Sequence, residues 1–282
     1  MEYLVSSDKC VTGFCMDKNT VDYISHNGIF KMERKSGKII KTVRLFKKEG
    51  FARDLLANDD LLFVKDFCSL HIVKRHEYET IKVLQLGADL RSDICGMAID
   101  DKFLYACIRN GSITLIDIEK MVIKGNYQIS NGSFWDLHVF ADYLVGGNVN
   151  GELLFIDKKS MKIKNTIVLN NQNIHNIIVD SNLIYVAGQN KTIYIVDGTQ
   201  FDCINKKKNA HRKMFNCVGI YKKDLITISY PCNEISFWDK DTLKHNKTIN
   251  LPLNLFGRTI IEKNKLYISS KNIMGIITCN LE

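Results

Sequence analysis

Proline is nearly absent: Pro231 and Pro252 are the only two in 282 residues, and neither sits in a linker-like run. No domain boundary is read, so one domain is expected over 1-282. No apolar stretch approaches the roughly eighteen residues of a membrane-spanning helix, and no membrane association is expected. The opening residues, Met1-Glu-Tyr-Leu-Val-Ser-Ser-Asp-Lys9, lack the basic-then-apolar order of a secretory signal. The nine cysteines contain no C-x-x-C pair. Odd in number and mostly set in apolar strand patterns, they read as reduced, buried thiols of a cytoplasmic protein rather than disulfides or metal ligands. In that compartment the N-x-S/T triplets at Asn110, Asn131, Asn190 and Asn246 carry no glycan. Strong charge of one sign is also missing. The net charge of +8 permits an acidic partner but falls short of the dense basic stripe of a nucleic-acid binder. Finally, there is no H-E-x-x-H, P-loop, G-x-S-x-G or dinucleotide fingerprint, so neither an enzyme nor a cofactor is expected.

What is present is a repeat. Asn110, Asn150 and Asn190 stand forty residues apart, as do Asp117, Asp157 and Asp197. Each Asn opens a turn into an apolar strand that ends in the Asp, as in Asn150-Gly-Glu-Leu-Leu-Phe-Ile-Asp157, and Asn233-Glu-Ile-Ser-Phe-Trp-Asp239 is a fourth copy. Asn-Gly between strand-like runs signals a hairpin with a type I′ turn, and Asn27-Gly28 adds another. In register, each repeat reads as four strands: an apolar inner strand, a Leu-initiated second, a third ending in Asp, and a Lys-rich outer fourth. Sheets packed face to face with one wet edge have this pattern.

The expected fold is therefore all-β: a single seven-bladed β-propeller of about forty residues per blade. The blades fall near 9-46, 51-87, 93-129, 133-169, 173-207, 214-251 and 256-282. The last has only three strands, and the strand at 1-6 is expected to close it, which removes the exposed sheet edges of an open array.

This pattern resembles the WD-repeat (Trp-Asp) propeller superfamily and, more loosely, YVTN-type propellers. Trp238-Asp239 spells the dipeptide once, and Ala210-His211 is the best match to the His before an inner strand. The turn Asp of the family is Asn in the third to fifth repeats and Cys232 or Asn233 in the sixth. Stability is accordingly expected to rest mainly on apolar packing. The resemblance implies a scaffold or adaptor that works without catalysis.

In such propellers the segments before the inner strands meet the turns between second and third strands on one rim. Aligned there, one column reads Val11, Phe51, Ile94, Phe134, Ile174, Phe215 and Phe256, apolar throughout. Two residues on, a second reads Gly13, Arg53, Gly96, Asp136, Asn176, Cys217 and Arg258. Charged groups there need partners or water. Arg53 and Arg258 would flank Gly13, with guanidiniums suited to a carboxylate or phosphate, or would pair internally with Asp54 or Asp136. Trp135 and His175 stand beside Asp136 and Asn176, and Phe215 and Asn216 follow on the next inner strand. The run Lys206–Lys213, which includes Lys207 and Arg212, and the segment Phe46–Phe51 would add basic loops to the rim. The expected partner is a protein or peptide with an acidic or phosphorylated segment, met by a chain that is monomeric on its own. The alternative is a propeller enzyme of lactonase, lyase or cyclotransferase type, which a single mouth carboxylate, Asp136, serves poorly.

Overall fold

The computed structural model describes residues 2–6, 10–25, 28–45, 52–88, 93–170, 172–230, 234–251, 258–270 and 275–282. They form seven sheets of four antiparallel strands each, and no described segment is a helix long and apolar enough to cross a membrane. The inner strands are Val11–Met16, Asp54–Ala57, Ile94–Ile99, Phe134–Phe140, Ile174–Asp180, Met214–Tyr221 and Thr259–Glu262. The seventh sheet takes its outer strand from the other end of the chain: Glu2–Ser6 pairs antiparallel with Gly275–Asn280, as its lack of a home in the first repeat predicts. The edge left by Gly275–Asn280 is thereby covered.

Contacts divide the chain into two compact units, Met1–Ile94 with Leu255–Glu282, and Cys95–Asn254. In the first unit, Val11, Phe14 and Tyr23 pack with Tyr267 and Ile276, and Ile24 and Leu55 with Leu62 and Val73. In the second, successive inner faces interleave: Phe134 and Leu137 with Tyr105, Ile174 and Ile177 with Phe155, Phe215 with Tyr185. Near-continuous burial of second and third strands, such as Leu144–Asn148 and Leu153–Ile156, explains why they read as unbroken apolar runs.

The turns are built differently from the expected type I′. Gly111 N–H donates to Ile108 O and Gly151 N–H to Asn148 O. Only the glycines are left-handed there, with φ of 85° and 80°, so each loop is a turn followed by one left-handed residue. The Asn side chain holds the loop, since Asn110 Oδ1 accepts from Ser112 N–H. The third copy places Lys191 in that left-handed place, at φ 62°. The periodic aspartates are likewise structural. Asp157 Oδ1 accepts from the amide and hydroxyl of Ser160, and Asp239 Oδ1 from those of Thr242. These bonds hold both carboxyls below the usual carboxylate range. Asn27, Cys232 and Asn233 lie outside the described residues.

None of the eight described cysteines forms a disulfide. Their expected burial holds for Cys107, Cys217 and Cys279, whereas Cys10, Cys15, Cys68, Cys95 and Cys203 are half-buried.

Candidate rim site

Three inner strands begin with the same irregularity, a bulge between Val11 and Gly13, Phe134 and Asp136, and Ile174 and Asn176. A bulge adds an unpaired residue and re-aims its side chain. Thr12 and His175 spend theirs on the chain forty residues ahead. Thr12 Oγ1 donates to Ala52 O at 2.7 Å and His175 Nε2 to Phe215 O at 2.7 Å. Burial pushes the His175 imidazole down despite that bond, so it is neutral at physiological pH. Trp135, the third bulge residue, is 37% exposed, and the Arg109 guanidinium lies 5.4 Å from its ring centre.

The carboxylate beside Trp135 is fully engaged. Asp136 Oδ2 accepts from Ile177 N–H at 2.9 Å and meets His138 Nε2 at 3.1 Å, while Oδ1 accepts from Leu137 N–H at 3.0 Å. Burial works to raise its pKa, but His138 and the two amides outweigh burial and hold the carboxyl below the usual range. Asn176 reaches the same carboxylate at 3.4 Å. Asp136 therefore ties two neighbouring inner strands together.

In the first unit the structure corrects the expected register. Ala52, fully buried, fills the apolar column where Phe51 was expected, and Phe51 itself lies outside the described residues, as does Phe256. The place matching Asp136 then belongs to Asp54 rather than Arg53. Leu55 N–H donates to Asp54 Oδ1 at 2.8 Å just as Leu137 does to Asp136. A Cβ on Gly13 would stand 3.3 Å from Asp54 Cα, and one on Gly96 the same distance from Asp136 Cα. Gly13 and Asp54 are one residue further apart than forty, and a one-residue slip turns each side chain to the other face. The space beside Gly13 is accordingly filled by the backbone of Asp54 and Leu55, not left as a gap between two arginines.

Both arginines are paired internally. Arg258 Nη1 donates to Asp54 Oδ1 at 3.0 Å, the pairing the sequence offered as an alternative to ligand binding. Arg53 Nη1 meets Asp93 Oδ2 at 2.6 Å, and its guanidinium stacks 3.8 Å from the Phe67 ring centre. In the second unit Phe215 is buried against His211, ring centres 4.8 Å apart, so it serves packing; Asn216 is half-buried. Lys207 and Arg212 are exposed, and Met214 beside them is 42% exposed. Sequence reasoning passed over Met214 and Arg109; the bulge that re-aims Trp135 toward Arg109 leaves no signal in the residue pattern. The segment Phe46–Phe51 lies outside the described residues.

In the sixth blade a buried polar chain adds to the apolar packing expected to do most of the holding. Trp238 Nε1 donates to Thr227 Oγ1 at 2.8 Å, and His211 Nε2 meets the same hydroxyl at 2.7 Å. The same hydroxyl also lies 3.4 Å from Ser236 O, so it bridges indole, imidazole and backbone. Among the described residues no group of three or more His, Cys, Asp or Glu is placed to hold a metal ion.

No protein-family model matches the sequence, and no curated protein matches it. Solved structures do. A chain of the mitotic checkpoint complex superposes with a TM-score of 0.81 at 13% identity, over 99% of this chain and 90% of that one. The WD40 β-propeller domain of Doa1 gives 0.79 at 14% identity, over 99% and 96%. The WD40 domain of Neurospora crassa Pan2 gives 0.76 at 9% identity, over 96% and 88%. With seven four-stranded antiparallel sheets, the last completed by the N-terminal strand, the chain has the fold of a seven-bladed WD40 β-propeller.

Proposed function

We propose that the chain is a non-catalytic protein-interaction scaffold. On this proposal it takes an acidic or phosphorylated segment of a partner on the rim of its second unit. The observation that carries the reading is the fate of the three bulge side chains. Thr12 and His175 are consumed in holding the next inner strand, while Trp135 is turned outward beside Arg109. An exposed indole next to a guanidinium offers an apolar anchor and a cation in one place, and Trp and Arg are enriched among residues that dominate binding energies. Lys207 and Arg212 lie at the same ends of the strands and would steer an acidic segment toward it. That a chain with this fold is part of the mitotic checkpoint complex supports a role in assembly. Arg53 and Arg258 drop out of the binding set, because their carboxylate partners already occupy them.

Affinity capture from native lysate tests the reading. Trp135→Ala, and separately Lys207→Glu with Arg212→Glu, should each lower the captured partner by about tenfold or more, and moderate salt should weaken capture by wild type. Undiminished capture by both variants would remove the rim from consideration. Charge reversal of Arg258 would instead place a carboxylate opposite Asp54 and report on stability.

A further inference from the structure

The other ends of the strands carry a second pattern of ion pairs. Arg34, Arg75, Ile118, Lys158, Gly198, Lys240 and Leu281 occupy equivalent places after a third strand, each donating its amide to a turn of its own sheet. Four of the seven send a cation to a carboxylate at the end of the inner strand of the preceding blade, and Ile118, Gly198 and Leu281 have no cation to send. Arg34 reaches Glu262 at 3.0 Å and Arg75 reaches Asp17 at 3.4 Å in the first unit. Lys158 reaches Asp100 at 3.3 Å and Lys240 reaches Asp180 at 2.9 Å in the second. At the Gly198 place both partners have changed. Phe140 stands where Asp100 and Asp180 stand forty residues to either side, and Gly198 stands where Lys158 and Lys240 stand. A Cβ on Gly198 would lie 2.5 Å from Phe140 Cζ, so the ring fills the space of the missing cation.

This double replacement turns a polar seam into an apolar groove of about 580 Å³ between the fourth and fifth blades. Phe140, Tyr143, Val179 and Phe201 form its floor, with Asn182 and Thr199 at its mouth. The floor is a fixed aromatic lattice. Tyr143 meets Phe201 edge-on at 5.7 Å, and Phe201 meets the buried Phe155 at 4.9 Å. Three carboxylates border the mouth in the chain, Asp142, Asp180 and Asp197. Lys240 takes Asp180, while Lys158 is turned to Asp100.

We infer that this groove is a second docking site, opposite in preference to the rim. Its occupant is a partner polypeptide segment that inserts one aromatic side chain flanked by Lys or Arg. The rings accept the apolar group, and Asp142 and Asp197 complement the flanking cations. The seam beside it carries the Lys240–Asp180 ion pair instead.

The test uses the whole chain and three blocked tripeptides, Lys-Trp-Lys, Lys-Ala-Lys and Glu-Trp-Glu, titrated to millimolar concentration while backbone amide resonances are followed. Lys-Trp-Lys should shift the amides of Phe140, Tyr143, Thr199 and Phe201 saturably. Replacing its Trp by Ala should weaken binding by about tenfold or more. Asn182→Arg and Ala141→Arg, both on exposed turn residues, should abolish the shifts while the thermal melt stays that of wild type. Ala141 already has φ 49°, so a longer side chain there adds no backbone strain and keeps the test open if Asn182→Arg misfolds. Three results overturn the inference: no saturable shift at the groove, Glu-Trp-Glu binding as well as Lys-Trp-Lys, or concentration-dependent self-association that either variant abolishes. The last would make the groove an interface between copies of this chain.

Discussion

The two units differ in how much charge they bury. The terminal unit holds its charged groups inside. Asp22, wholly buried, accepts from Arg75 Nε at 2.9 Å and from the Tyr78 hydroxyl, with Lys31 Nζ 3.9 Å away. Burial first, and the charge of Asp22 second, push the Tyr78 phenol well above its ordinary range. Arg258 pairs with Asp54 and Arg53 with Asp93. In the central unit the buried polar groups are mostly uncharged, Thr114, Asn148, Thr192 and Thr227 among them, with Asp117 capping a turn, and Lys207 and Arg212 reach solvent. The lesson is that an arginine near a channel mouth says little until its carboxylate is located. A guanidinium that has one holds blades together; one that lacks it can meet a partner.

The sharpest way to break this comparison is to remove Asp22. Asp22→Ala takes the buried carboxylate from Lys31 and the Tyr78 hydroxyl and leaves Arg75 with Asp17 alone, and should cost about 3–5 kcal/mol, read from urea denaturation. A loss below about 1 kcal/mol would mean that the terminal unit does not depend on its buried charges. The central unit should instead show a pH signature. Burial, with a smaller contribution from the charge of His245, pushes His211 down from the ordinary 6.5 to about 4. The unfolded chain then takes up a proton that the folded state refuses. Stability should be complete above pH 6.5 and fall progressively between about 6.5 and about 4, by on the order of 2–3 kcal/mol in all. His211→Gln should flatten that slope in denaturation curves taken across this window; an unchanged slope would assign it to other groups.

Smaller effects should separate the three related turns of the central unit. A Cβ on Gly151 would lie 2.3 Å from Asn170 O at φ 80°, so Gly151→Ala should cost about 2 kcal/mol or more. Lys191→Gly should run the other way. Relief of the left-handed backbone slightly exceeds the added freedom of the unfolded chain, giving a gain of about 0.5 kcal/mol in thermal unfolding. Equal responses at the two positions would show that the turns are not equivalent in energy.

The sequence by itself determined the period and what the period entails. The Asp turn residues, and Asn110 and Asn190, recur at this spacing because each closes a local loop with its own side chain, a task that Asn148 takes over from Asn150 in the second copy. Second and third strands are apolar because both faces are covered. The three-strand remainder at the end of the chain needs the strand at 2–6 because an uncovered edge leaves backbone groups unpaired. All of these are local, or follow from counting strands. Tertiary structure decided the rest. The step from Gly13 to Asp54, one residue beyond the period, was hidden because Phe51 mimics the apolar column that Ala52 fills. Whether Trp135 turns outward while Thr12 and His175 turn to the next strand depends on what stands forty residues ahead of each. Phe140 and Gly198 lie 58 residues apart in sequence, and only their packing shows that one takes up the space the other vacates.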